Sequence, residues 1–464
     1  MYTIDFSKPI HVYFVGIGGI SMSGLAQILK SRGFEVSGSD RARSPITDAL
    51  EANGIRVHFG QRAENITPDI DLAVFTAAIH PDNPEYIAVQ QMGIPSLNRA
   101  QLLGQLMLGY QCPVAVSGTH GKTTTTSMLS EILMAAGTDP TLSIGGVLDS
   151  IGSNVRVGGD QYFVAEACEY TNSFLEMFPK IAVILNIDAD HLDFFKDIDD
   201  IRNSFRRFAQ KLPADGALII NSDIPDYHKI IEGLPCRVIT YGAGPDAMYT
   251  ARDIRFDDNA FPSFILSSGA EGETADTPIE LHVPGIHNVY NAVAAVAAAD
   301  LLSVPRSVSQ RALAGFGGAE RRFQVIGTRN GFTVVDDYAH HPTEIRATLE
   351  AARAAAHRDL YCVFQSHTYS RTKALFDEFA DALSLADHVV LADIYAARET
   401  DDLGVSAQKL ADRIRENGND CIYLPSFKEI EEHLLKNCQT GDLVITMGAG
   451  NVNEIAYDLV FPQA

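Results

Sequence analysis

The residues best placed to do chemistry lie in one short run, Gly118-Thr119-His120-Gly121-Lys122-Thr123-Thr124, between an apolar stretch at Pro113 to Val116 and a segment of helical character. Consecutive backbone N–H groups at a helix start form a cradle for phosphate. In it Lys122 would neutralise β- and γ-phosphates, and the hydroxyl of Thr123 would ligate Mg²⁺. The general pattern GxxxxGK[ST] asks for glycine at position 116, where this chain has Val116, so the loop is a variant with its glycine at 118. A bare helix cap would explain the glycines and threonines but not the Gly-Lys-Thr order.

Nearer the amino terminus, Gly16, Gly18, Gly19 and Ser21 follow the apolar run from His11. Ser21 stands where a dinucleotide fingerprint wants its third glycine. The segment reads as a tight strand-to-helix turn, an NAD site or a site for another phosphate-bearing ligand, with Asp40 at the next strand end able to accept from a nucleotide hydroxyl. Two acidic segments follow, Glu166 to Glu169 and Asn186 to Asp193 with Asp190 and His191, where a divalent-ion pocket opposite a phosphate loop is expected. Solvated strand ends are the plain alternative. Further on, Asp336-Asp337-Tyr338-Ala339-His340-His341-Pro342 and Gln365 to Arg371 each follow a strand, at the sheet edge where ligands bind in doubly wound folds. Arg321, Arg322 and Arg371 are cations suited to anions; loop packing and surface pairing are the competing explanations.

These residues need a frame, and 464 residues at about 150 per domain suggest roughly three units. Strand-turn-helix patterns restart at His11, Pro113 and Thr333, with no internal sequence repeat. The domains are expected at residues 1–109, 110–318 and 319–464, all α/β. Strands are expected at Tyr162 to Ala165, Ile181 to Ile187, Leu360 to Phe364, His388 to Ala392 and Leu443 to Thr446. Helices are expected at Asn98 to Leu108, Asn288 to Leu302, Glu344 to Ala356 and Thr372 to Ser384, and a loop or hairpin around Ser267 to Thr277. A net charge of −23 argues against nucleic acid as a partner. No apolar run is long enough for a bilayer span and no secretory leader is legible. Six scattered cysteines read as reduced thiols, so a cytoplasmic protein is expected.

Taken together, Gly16 to Gly24, Gly118 to Thr124, Asn186 to Asp193, Gly285 to Asn291, Arg321 to Phe323 and Asp336 to Pro342 resemble the Mur ligase family of peptidoglycan synthesis, in order and over nearly the whole chain. The resemblance implies a Rossmann-like UDP-binding domain, a central P-loop ATPase-like domain and a Rossmann-like C-terminal domain that closes over both. It implies ATP, UDP-N-acetylmuramate and L-alanine as substrates, with Mg²⁺, and turns the glycine cluster with Gly18, Gly19, Ser21 and Asp40 toward UDP. By the same carry-over Lys122, Glu166, His191 and His340 serve catalysis, and Thr123, Glu166 and His191 hold metal. His287, Asn288 and Asn291 lie near adenine, Arg322 reaches ATP phosphates and Asp337 the ribose. Tyr338, His340 and Arg371 face the muramoyl and alanine parts. Cys168, Tyr170, Thr171 and Thr368 depart from the family pattern. Later-acting members carry a carbamoylated lysine beyond the Asp190-His191 motif, whereas Asp197 to Gln210 contains arginines and no lysine, which points to the alanine-adding branch. An NAD-dependent oxidoreductase, a recycling ligase that attaches a murein peptide and a non-catalytic nucleotide-gated partner are the rival readings.

Overall fold

The structure, a computed structural model, describes residues 2–76, 79–269, 275–400 and 402–462. Its strands form three sheets, in keeping with the α/β class expected from the sequence. The first has five parallel strands in the spatial order Arg56–Phe59, Glu35–Asp40, His11–Val15, Leu72–Phe75 and Ser96–Asn98. His11–Val15 is buried along its whole length, because both faces of a parallel sheet are covered. Val12 and Phe14 enter one core cluster and Tyr13 and Val15 the other, the alternation a pleated strand imposes. The strand order reverses beside His11–Val15, and the glycine turn leaves the carboxyl end of that strand.

The second sheet has ten strands. Its parallel centre places Cys112–Ser117 between Ile181–Ile184 and Tyr162–Ala167, so the loop at Gly118 opens between two neighbouring strand ends. Antiparallel pairs extend both edges, Thr141–Leu148 with Ser153–Arg156 at one and Tyr249–Phe256, Pro262–Ser268 and Ala275–Glu280 at the other. The polar stretch around Ser267 to Thr277 is thus the end of an antiparallel pair, and its residues 270–274 lie outside the described residues. The third sheet, of six strands, is parallel except for its edge strand Gln324–Arg329.

Several elements differ from the expectation. The helix expected from Thr372 is two helices, Tyr369–Ala374 and Phe376–Leu383, because Leu375 leaves helical geometry and both Leu375 and Phe376 pack on the core. The strand expected to reach Ile187 stops at Ile184, where the chain turns toward the phosphate loop. The helix expected from Glu344 begins at Pro342, with His341 as N-cap and Glu344 returning the bond in a reciprocal capping box.

The first and second units share one hydrophobic cluster, running from Leu103, Leu106 and Tyr110 to Phe163 and Phe174. Tyr110 stacks on Phe163 at 4.8 Å, and Asn154 Nδ2 donates to Ile20 O at the start of the helix Ile20–Ser31. Gly104, in the helix Arg99–Met107, is tightest of all: a Cβ there would lie 1.9 Å from Glu176 O. Glycine to alanine ordinarily stabilises a helix by about 1 kcal/mol, but here the added carbon meets backbone. Gly104→Ala is expected to destabilise the protein by roughly 1–3 kcal/mol, read as an earlier urea transition; an unchanged or later transition would contradict this packing.

Candidate active site

The phosphate loop owes its shape to two glycines at positive φ, Gly118 at 142° and Gly121 at 79°. A Cβ at Gly118 would approach Leu185 to 2.9 Å and one at Gly121 would approach Asn291 Oδ1 to 2.6 Å, so glycine is required at both for space as well as conformation. The loop is stitched to the neighbouring strand end. His120 N donates to Asn186 Oδ1 at 2.7 Å, Asn186 Nδ2 donates to His120 O at 3.0 Å, and Asp188 N donates to Thr119 Oγ1 at 2.9 Å. The helix Lys122–Ala135 starts directly after Gly121 with no side-chain cap, leaving its first N–H groups directed at the loop's concavity.

Lys122 Nζ donates to Gly118 O at 2.6 Å and Thr119 O at 2.9 Å and pairs with Glu169 Oε2 at 3.1 Å. Burial opposes its charge, yet the carboxylates of Glu169 and Glu166 hold its pKa above the ordinary lysine value. Thr123 Oγ1 donates to Glu166 Oε2 at 2.8 Å, and Gly145 N donates to the same oxygen at 3.0 Å. A hydroxyl and a carboxylate oxygen this close are hard donors of the kind Mg²⁺ takes, so this pair fits such an ion. His191, expected beside Glu166, has its Nε2 at 3.7 Å from both Glu169 Oε1 and Asp190 Oδ2, and its ring stacks on Tyr170.

The C-terminal unit supplies the opposite wall. Arg322 Nη2 lies 3.4 Å from Thr123 Oγ1, and the guanidinium groups of Arg321 and Arg322 sit over the Tyr338 ring at 5.0 and 4.9 Å. Arg321 is itself held by buried Asp336 at 2.8 Å. Asp337 accepts from Phe323 N and Ala339 N, and burial pushes its carboxyl up to about 6 against the pull of Arg322. Burial lowers His340 to about 4, so its imidazole is neutral at pH 7, with Nδ1 toward Tyr338 O at 3.0 Å. A group that releases its proton so readily is a hydrogen-bond acceptor for an amine rather than a store for its proton. Arg371 Nε pairs with Asp190 Oδ1 at 3.1 Å; burial opposes the Asp190 charge, and Arg371 with neighbouring histidines drives its pKa well below the usual carboxylate range.

A cavity of about 480 Å³ gathers most of the expected nucleotide residues, Thr119 to Thr124, His287, Asn288, Asn291, Arg322 and Asp337, with Glu166 and His191, expected at metal, and Tyr338 and His340, expected to face the muramoyl and alanine parts. Asn288 and Asn291 are tied together at 3.0 Å on the helix Ile286–Leu301, while His287 Nδ1, buried, has no hydrogen-bond partner among the described residues. Burial lowers the His287 pKa to about 4, so this nitrogen belongs to a neutral ring. A second cavity of about 580 Å³ takes in Arg371 and His367 and shares Asp190, His191, Tyr338 and His340 with the first. Gly18, Gly19, Ser21 and Asp40 line neither cavity. The Asp40 carboxylate, expected to face nucleotide hydroxyls, accepts from Gly18 N at 2.8 Å and so braces the glycine turn.

The sequence placed Glu169, Asn186 and Asp188 only within segments expected to form a divalent-ion pocket and gave Glu344 no role, whereas each positions the loop, its lysine or a histidine here. The signal for Glu344 was legible as a capping-box spacing after His341. The other three contact the loop only through folding. His120, Asp188 and His341 bring possible ligand atoms within 4.8 Å of one another. Their atoms are already engaged: His120 with two carboxylates, His341 Nδ1 accepting from Thr343 N and its Nε2 facing Ala189 O.

Three family profiles match consecutive stretches of the chain: the Mur ligase family catalytic domain over residues 11–111, the Mur ligase middle domain over 116–299 and the Mur ligase glutamate ligase domain over 321–450. A protein of Lachnospira eligens named UDP-N-acetylmuramate--L-alanine ligase is 58% identical over 461 residues, 99% of this chain and 100% of that protein. The protein of the same name from Agathobacter rectalis is 56% identical over 99% of this chain and 100% of its own length. Among solved structures, the UDP-N-acetylmuramate-alanine ligase of Thermotoga maritima superposes with a TM-score of 0.81 at 28% identity, covering 97% of this chain and 98% of that one. A murein peptide ligase of Psychrobacter arcticus reaches 0.73 at 27% identity over the same shares. With profiles spanning most of its length and relatives this similar end to end, the chain belongs to the Mur ligase family.

Proposed function

We propose that the chain is an ATP-dependent ligase that joins L-alanine to the carboxylate of UDP-N-acetylmuramate, releasing ADP and phosphate, as a step of peptidoglycan precursor synthesis. The observation that carries this reading is the junction of the two cavities: the phosphate loop faces one, and Asp190, His191, Tyr338 and His340 form the wall common to both. A terminal phosphate held in the loop then lies beside the space where an acid and an amine would meet. Full-length identity to relatives named for this activity supports the choice of substrates. We also propose a cytoplasmic setting, in keeping with six free thiols.

A carboxylate resists amines because its oxygen leaves poorly. In the proposed reaction an oxygen of the sugar's carboxylate attacks the γ-phosphorus, the bond to ADP breaks, and an acyl phosphate forms. The uncharged alanine nitrogen then adds to the acyl carbon, the carbon–oxygen bond to phosphate breaks, and the proton the nitrogen loses passes to the departing phosphate. Lys122 exchanges its loop carbonyls for phosphate oxygens, and Arg322 adds a second cation from the opposite wall; positioned charge of this kind is the main contribution to phosphoryl transfer. Thr123 and Glu166, with His191 on the same cavity, are the groups we assign to Mg²⁺, which would supply further charge neutralisation on phosphate oxygens. Neutral His340 receives a hydrogen bond from the amine, and Arg371, oriented by Asp190, is suited to a carboxylate in the second cavity. Closure of the C-terminal unit keeps water from the acyl phosphate. UDP is assigned to the glycine turn, where the helix Ile20–Ser31 begins.

ADP release is expected only when UDP-N-acetylmuramate, L-alanine and Mg²⁺ accompany ATP, with a product heavier by one alanyl residue in the mass spectrum. Turnover that requires a preformed tripeptide, or none with any amine, would overturn the assignment. Lys122→Ala is expected to lower kcat by on the order of 100-fold or more while calorimetric binding of UDP-N-acetylmuramate stays within about threefold, because the lysine acts on the nucleotide phosphates. Since burial raises the Asp337 carboxyl to about 6 and the ionised form is the stronger acceptor for ribose hydroxyls, kcat/KM for ATP should fall as pH drops from 7 to 5.5. In Asp337→Asn that limb should flatten; an identical limb would remove Asp337 from the site.

A further inference from the structure

A phosphate loop needs glycines, backbone N–H groups and its lysine; the side chain at position 120 is free, in principle, to point at solvent. Here it turns inward, with 12% of its surface exposed, and both ring nitrogens meet carboxylates from different units. Nε2 lies 3.1 Å from Asp188 Oδ2, beside the loop in the central unit, and Nδ1 lies 3.1 Å from Glu344 Oε1, in the first turn of the C-terminal helix Pro342–Ala354. The same Glu344 carboxylate uses its other oxygen to accept from His340 N at 3.0 Å and His341 N at 3.3 Å, and it lies 3.2 Å from His340 Nδ1. One carboxylate therefore holds the phosphate loop on one side and sets the backbone and ring of His340, which lines both cavities, on the other.

From this geometry we infer that His120 is a positioning residue: through Glu344 it ties the phosphate loop to the C-terminal unit, so that filling the loop seats His340 at the junction of the two cavities. A buried ion pair contributes little net stability once its desolvation is counted, so a geometric role explains the arrangement better than a stabilising one. The groups facing the His120 ring are Asp188, Glu344 and the His341 ring at 4.9 Å between centroids. Burial opposes the charge on His120, but Glu344 and Asp188 raise its pKa to about 9, so both nitrogens donate at neutral pH. The inference rests on the reading that a nucleoside triphosphate occupies this loop. It adds that the loop communicates with the third unit through a side chain rather than through the nucleotide alone.

The test is hydrogen exchange on the full chain with a non-hydrolysable ATP analogue and Mg²⁺. In the unmodified protein, the analogue is expected to slow exchange in the peptide spanning residues 342–354 by roughly tenfold, a coupling within the usual range between linked sites. In H120N and in E344Q that slowing should shrink to about twofold or less, while analogue affinity changes by less than about threefold. Should H120N lose the analogue altogether, E344Q, which leaves the loop sequence intact, decides the matter. Alanine-dependent kcat should fall about tenfold in each variant, and the double variant should be no slower than either single one. Protection that persists in E344Q, or losses that multiply in the double variant, overturns the inference. Alanine-dependent turnover with protection indifferent to these substitutions removes only the clasp; protection with no ligation in the unmodified protein removes only the ligase reading.

Discussion

Everything at the candidate site depends on the backbone of four residues, Gly118 to Gly121, being held in a turn whose two end positions admit no side chain. Two left-handed glycines make the turn, and each sits where a Cβ would strike Leu185 or Asn291. The turn is then fastened to the next strand end by the two-way bond between Asn186 and His120. A cradle of N–H groups binds phosphate only if those groups already point inward, since reorienting them on binding would cost the entropy that fixed geometry avoids. Parallel strands ending side by side supply that fixed geometry: Cys112–Ser117 carries the loop, and Ile181–Ile184 carries the segment that braces it.

The electrostatics of the site follow from the same compression. The chain is strongly acidic overall, with a net charge of −23, yet the cavity walls present Lys122, Arg322 and Arg371. Cations removed from water require partners, and Lys122 and Arg371 have them in Glu169 and Asp190, while Asp336 holds the adjoining Arg321. These pairs hold the cations aimed. Anionic substrates can then replace some of the hydrogen bonds, as phosphate oxygens would replace the loop carbonyls around Lys122. Burial acts in the opposite sense at His287 and His340, which it leaves neutral, at His340 even against the pull of Glu344. The site thus sets cations beside neutral imidazoles, the combination that the proposed phosphoryl transfer followed by amine attack would use.

Three sheets are needed because the groups converge from different strand ends. The first and second units share a hydrophobic cluster and a close approach at Gly104, whereas the third meets the central unit at the site itself through polar contacts, such as His120 with Glu344 and Arg371 with Asp190. Polar junctions between units are easier to open than apolar ones, so the joint built from charged side chains is the one best suited to the closure proposed above.

The sequence by itself determined the local chemistry. The order Gly-Thr-His-Gly-Lys-Thr before a helix, the glycine turn after His11–Val15 and the strand ends carrying Asp190, His191, Asp337 and His340 were all readable, because short-range patterns of glycine, charge and apolar alternation encode turns and elements directly. Less was legible where tertiary packing decides: the break at Leu375, the antiparallel edges of the central sheet, and Asp40 turned onto Gly18 rather than outward. The partners of Glu169, Asn186, Asp188 and Glu344 were not legible, since each acts on a residue that folding brings near, from 47 positions away for Lys122 and Glu169 to 224 for His120 and Glu344. Which carboxylate meets which cation is a property of sheet order and domain contact. A pattern confined to one stretch of chain carries no information about distances between stretches, and only the folded arrangement could supply them.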